Sequence, residues 1–155
     1  MKTNRHTGKV YLVAQFILFT HVCAYLTNKY LSTSSTSVLL VLTDGKIDDV
    51  DQTIDTLVEH AADAPLSIVI VGVGGGNFED MMRLDGDEEA GGCLVSSEGK
   101  KCPRDLVQFV PFRKYSKTMS HLTAETLAEI PLQLVTYFMS KGIRPTPPDD
   151  ATGAH

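Results

Sequence analysis

Val38-Leu39-Leu40-Val41-Leu42-Thr43-Asp44-Gly45 is an unbroken apolar run that ends in a polar turn. A second run of the same kind, Ser67-Ile68-Val69-Ile70-Val71-Gly72-Val73-Gly74, follows it. Such runs suit strands buried on both faces, as in a parallel sheet covered by helices. Residues 47–64 between them are enough for a crossover helix. Ile54, Leu57, Val58 and Ala61 form one apolar stripe of a helix expected over 50–62, with Asp48, Asp49 and Asp51 at its positive end. Open α/β sheets carry their functional groups beyond the carboxyl ends of the strands. Asp44 stands at such an end and is the leading candidate for chemistry.

Working outward, Pro65 stops the first helix and Gly74-Gly75-Gly76 turns the chain. Asn77 suits the cap of a short helix through Phe78, Met81, Met82 and Leu84. Residues 85–92 are acidic and glycine-rich, an expected exposed loop, and 94–101 suit a small hairpin. A third strand is expected over 106–110. A last helix is expected from Ser120 or Thr123 to Met139, kinked or broken in two by Pro131 and capped by Gly142. Residues 144–155, with Pro145, Pro147 and Pro148, form an expected flexible tail. Alternating strands and helices give an α/β fold, a Rossmann-like, doubly wound sheet flanked by helices.

The chain has 155 residues and a formal net charge of -5, with no basic cluster interleaved with aromatics. That balance argues against nucleic acid or an anionic lipid surface as an electrostatic partner. Three cysteines, Cys23, Cys93 and Cys102, are too few and odd in number for a disulfide framework. Cys93 and Cys102 either face each other across the 94–101 turn or remain two reduced thiols. CxxC and HExxH patterns are both missing, His21, His60 and His121 share no spacing, and no Gly-x-Ser-x-Gly turn occurs. Enzymatic activity is therefore not expected. The acidic run 85–89 lacks the ligand spacing of an EF-hand loop.

Residues 1–9 are polar and basic, and 10–26 are mostly apolar. The apolar run is short and interrupted for a membrane span, although the layout is that of a signal peptide. Three readings stand side by side: an uncleaved anchor or signal, a helix packed on the domain, and an unrelated N-terminus joined to a truncated domain. Ser32-Thr33-Ser34-Ser35-Thr36-Ser37 reads as a linker. The expected organisation is 1–37 as this separate segment, 38–143 as the globular part and 144–155 as the tail.

Several stretches together resemble the copine family. They are Leu39 to Gly45, Asp51-Gln52-Thr53, Leu66 to Gly74 and Leu84-Asp85-Gly86-Asp87. The most specific are Arg104-Asp105-Leu106-Val107-Gln108-Phe109-Val110-Pro111-Phe112-Arg113 and Leu127-Ala128-Glu129-Ile130-Pro131, followed by Gln133 and Tyr137-Phe138. They are similar to the C-terminal part of the copine von Willebrand factor A-type domain, and the resemblance covers about 38–145. It implies a partial A-type domain acting as a protein-interaction module in the cytoplasm. Calcium-dependent phospholipid binding in that family belongs to C2 domains, to which no residue here corresponds.

A-type domains of this kind hold a divalent cation, Mg²⁺ or Mn²⁺, through three loops. The resemblance assigns the Asp of the third loop to Asp44. The segment 32–37 lacks the leading Asp of the first loop. Two other readings remain open. One is a nucleotide-dependent enzyme using Gly72-Val73-Gly74-Gly75-Gly76-Asn77 as a phosphate loop, although Asn77 stands where the last Gly of Gly-x-Gly-x-x-Gly belongs. The other is a fragment that associates with membranes through residues 10–26. A partial sheet also exposes Val, Ile and Leu side chains at about 1.5–3 kcal/mol each. Poor stability or self-association is thus expected unless residues 10–26 close the gap.

Overall fold

The computed structural model describes residues 9–13, 36–45, 47, 49–86 and 93–144. Four strands, β1 (Lys9–Val13), β2 (Ser37–Thr43), β3 (Leu66–Gly72) and β4 (Val107–Pro111), form one sheet in the order β1-β2-β3-β4. All three pairings are parallel. The helices are α1 (Val50–Thr56), α2 (Glu79–Asp85), α3 (Phe112–Tyr115), α4 (Met119–Leu127) and α5 (Ile130–Ser140). This is the α/β sheet flanked by helices that the sequence predicts.

Pleating sorts the strand residues into two layers. Leu39 and Val41 of β2 register with Ile68 and Ile70 of β3. They share one buried cluster with Ile54, Leu57, Val58 and Ala61, and with Met81 and Leu84. These helical residues belong to the two connections β2–β3 and β3–β4. Right-handed crossovers along an order that never reverses put both connections on the same face. The expected helix over 50–62 ends differently: after Thr56 the chain widens into a π-turn, Leu57–Ala61, which turns Leu57, Val58 and Ala61 into the core.

The opposite layer is thinner. Every residue of β3 is buried, as a strand covered on both faces must be. β2 alternates instead: Val38, Leu40 and Leu42 are only half-buried. The expectation of double burial fails for β2, because α4 and α5 follow β4 and lie against β4 and β3. On this face Gln108 reaches up to donate an amide hydrogen bond to the Glu125 carbonyl of α4.

At the N-terminal side, residues 9–13 extend β2 by one parallel strand. They contain the start of the apolar run for which an anchor or a packed helix was an option; residues 14–35 lie outside the described residues, as does the tail 145–155. Ser37 belongs to β2 rather than to a linker. The hairpin expected over 94–101 is present as an antiparallel bridge between Val95 and Lys101, and Cys93 and Cys102 are free thiols. The last helix does break in two, with Pro131 in the first turn of α5, where its missing N–H is harmless. Gly142, at φ 71°, ends α5, with the N–H of Ile143 bonded to Phe138 and that of Gly142 to Met139.

One buried cation ties these parts together. Arg104 donates from Nε to the Ala62 carbonyl at 3.2 Å and from Nη2 to Ala64 and Leu66 at 2.7 and 2.8 Å. Its Nη1 reaches the Asp105 carbonyl at 3.1 Å, and its guanidinium lies 5.4 Å from the centre of the Tyr137 ring. Replacing Arg104 by Met leaves several buried carbonyls without donors and is expected to cost about 3 kcal/mol. Arg104→Lys recovers only part of that loss, because a point charge cannot copy the planar fork. Urea unfolding midpoints measure both; two midpoints equal to that of the unsubstituted protein would refute the assignment.

Candidate functional site at the carboxyl end of the sheet

The carboxyl ends of β2, β3 and β4 converge. β2 delivers Asp44, whose side chain is exposed. The Thr43 carbonyl accepts the Val73 N–H at 2.7 Å, pinning the turn after β3 to the turn after β2. Beyond that bond, Gly74 takes φ 86°, a conformation that disfavours any side chain. Gly76 runs against the backbone of Asp44 and Gly45: a Cβ there would sit 3.0 Å from Gly45 Cα and would overlap the Asp44 carbonyl oxygen. From α3, which follows β4 directly, Arg113 brings its guanidinium over Gly75, where a Cβ would lie 3.2 Å from Nη2. Gly72 is hemmed in by the rings of Phe78 and Phe109, whose centroids are 5.5 Å apart.

Gly72, Gly74 and Gly76 thus each answer a local packing or backbone demand. Behind the turn, α2 opens with Glu79 and Asp80, two carboxylates where a bound phosphate would need positive potential. Phe78 rather than Asn77 occupies the cap position of this helix, and Asn77, one residue further out, accepts the Glu79 N–H at 3.0 Å. The convergent end therefore presents an exposed carboxylate, an exposed guanidinium and a glycine turn packed against the backbone of Asp44.

Asp44 is the one candidate metal ligand from the sequence. Among the described residues no group of three His, Cys, Asp or Glu side chains is arranged to hold a metal ion. The Oγ1 of neighbouring Thr43 sits 3.4 Å from both the N and O of Gly45. One carboxylate with one hydroxyl does not make a cage for Mg²⁺, which needs near-octahedral oxygen. The donors described do not fit the ion by themselves. His60 and His121 are exposed on separate elements, and His21 lies outside the described residues.

A second grouping was not foreseen. Asp85, expected in an exposed loop, instead closes α2 and is half-buried, because its Oδ1 accepts the Phe109 N–H of the edge strand β4 at 2.7 Å. Asp105 Oδ1 accepts the next outward N–H, that of Val107, at 3.2 Å. Gln133 Nε2 donates to Asp105 Oδ2 at 3.0 Å and to Glu129 Oε2 at 3.2 Å. Burial, opposed by the Phe109 N–H and aided by the Asp105 charge, pushes the Asp85 carboxyl up to about 6. Burial and the neighbouring Asp105 carboxylate push Glu129 up to about 7. The residues are 44 positions apart in the chain (129 − 85), so no local pattern announces them.

No helix among the described residues is long and apolar enough to cross a membrane. The family described as Copine matches residues 14–146, beginning upstream of Val38. Copine-C of Dictyostelium discoideum is 55% identical over 112 residues, which is 72% of this chain and 20% of that protein. Copine-E of the same organism is 50% identical over 109 residues, 70% of this chain and 18% of the relative. Copine-B is 44% identical over 109 residues, with 70% and 20% covered. The chain spans about a fifth of the length of the curated relatives it matches. With the family match covering most of its length and the parallel α/β sheet in place, this chain belongs to the copine family.

Proposed function

We propose that this chain is a cytoplasmic protein-interaction module, without catalytic activity, whose recognition face is the carboxyl end of the sheet. The observation that carries the reading is the convergence of Asp44, the Gly74–Gly76 turn and Arg113 at one exposed end. Opposite charges at one end of the sheet favour a partner that offers complementary charges, and they set orientation more than raw affinity. Copines as a family are associated with calcium-dependent phospholipid binding through C2 domains. No residue of this chain is assigned that role.

Mg²⁺ or Mn²⁺ enters this reading as an ion at the Asp44 end of the face. Asp44 would contribute one oxygen, and the remaining ligands would come from outside the described donors. Magnesium commonly keeps several waters beside one or two carboxylates. Calorimetric titration of the full chain with each ion checks this. The expected outcome is weak binding that Asp44→Ala abolishes without lowering the unfolding temperature; heat unchanged by the substitution would remove Asp44 from the cation site.

The interaction reading is tested by quantitative co-precipitation of the unsubstituted chain against Asp44→Arg and Arg113→Glu, with Glu98→Lys as an exposed control. Both site variants are expected to lose the same partners, by about 2 kcal/mol of binding, the scale of a hot-spot residue. Partner sets identical in all four would refute the face. Gly76→Ala forces the Asp44 turn away and is expected to cost about 1–3 kcal/mol of stability, as overpacking does. A thermal midpoint unchanged by Gly76→Ala would contradict the contact.

A further inference from the structure

The carboxylates Asp85, Asp105 and Glu129 meet at the outer edge of β4, where α4 gives way to α5. Glu129 stands in the break between these helices and begins the turn into α5. Gln133, one turn into α5, donates from the same Nε2 to the Glu129 carboxylate and to that of Asp105, which brings the two acids together. We propose that Glu129, joined to Asp105 through Gln133, is a proton-operated latch: protonated, it holds the α4–α5 junction against the edge of β4, and losing that proton it lets the junction loosen.

The site is rich in acceptors and poor in donors. Gln133 spends its amide hydrogens on the two carboxylates, while its own Oε1 and that of Gln108 are buried without a donor. A proton on Glu129 adds a donor and removes a like-charge repulsion. The groups facing Glu129 are Asp105 from the chain before β4, Asp85 from the end of α2 and Gln133 from α5. The nearby cation, Arg104, carries the opposite charge to Asp105, yet it directs its N–H groups to four carbonyls. Among the described residues, ion pairs to Asp85, Asp105 or Glu129 are absent.

The direction follows from linkage. Glu129 holds its proton more tightly folded than unfolded, 4.5 rising to about 7, and Asp85 moves the same way, 3.8 rising to about 6. A raised carboxyl contributes stability that is present at low pH and lost as pH rises toward the folded value. The latch is therefore closed on the acid side and loosens as pH climbs through neutrality. The far half of α5 has its own anchors, Tyr137 beside Arg104 and Lys141 paired with Asp63 at 3.0 Å, so loosening is confined to the junction.

Hydrogen exchange of the full chain across a series from about pH 4 to about pH 8, corrected for intrinsic rates and compared between about pH 6 and about pH 8, tests this. Amides over 122–134 are expected to lose about tenfold in protection relative to β3, the effect of one pKa unit of differential proton affinity. Glu129→Gln keeps a donor without a charge and is expected to abolish the pH effect, as is Asp105→Asn. A pH effect unchanged in both variants, or none in the unsubstituted chain, would overturn the proposal. Should a variant not fold, the unsubstituted chain alone decides, through the midpoint of the loss: near neutrality supports the latch, and in the ordinary carboxylate range refutes it.

Discussion

Arg104 is the constraint on which the rest of the structure depends. A guanidinium presents its donors in a rigid planar fork, and here the fork faces the carbonyls of Ala62, Ala64 and Leu66, where the chain leaves the first helical connection and enters β3. The same group bonds the Asp105 carbonyl just ahead of β4 and lies over Tyr137 of α5. One side chain therefore fixes the start of two adjacent strands and the docking of the final helix. Burial lowers the pKa of this guanidinium, yet an Arg stays charged under all ordinary conditions. Dipoles of several carbonyls, rather than a carboxylate partner, neutralise it.

At the other end of the strands, glycine does what arginine does at their start. The turn after β3 must pass beneath the turn after β2, and the backbones approach closely enough that Gly76 leaves no room for a methyl group. That contact sets where Asp44 projects. It also makes the glycine-rich run a packing device, which removes the structural motive for reading it as a phosphate loop. Position and chemistry are thus separated: the glycines position, and the exposed charges of Asp44 and Arg113 are what another molecule can meet.

How much of this was legible in the sequence depends on the range of the interaction. β3 was legible because seven successive apolar or small residues can be satisfied only by burial on both faces. The break between α4 and α5 was legible through Pro131, and the end of α5 through Gly142. β2 misled, because an apolar run reports what a strand can bury rather than what its neighbours cover. β1 was hidden at the start of a longer apolar stretch whose composition also suits a signal or a helix. Asp85 looked solvated for a related reason: its neighbours in sequence are acidic and glycine-rich, while its actual partner is a strand 24 residues away. The role of Arg104 had no local signature, since an arginine between Pro103 and Asp105 looks like surface.

The two layers of the fold are held by different forces, and that difference gives the carboxylate cluster its leverage. Beneath the sheet, α1, its π-turn and α2 pack Leu, Ile, Val and Met side chains that are almost fully buried. Above it, α5 buries Gln133 and Tyr137 and turns Leu132, Val135 and Met139 outward. A layer with few buried apolar side chains gains little from area, at about 25 cal/mol per Å². Its attachment rests on directed polar contacts: Gln108 to α4, Gln133 to Asp105 and Glu129, and Arg104 to Tyr137. Contacts of that kind respond to a single proton, whereas a packed apolar layer does not. The same cluster also occupies the outward N–H groups of Val107 and Phe109, which would otherwise leave β4 an open edge for further strand pairing. A change of charge at Glu129 therefore acts where the helical cover and the sheet edge are held by the same few atoms, and where little apolar packing opposes their separation.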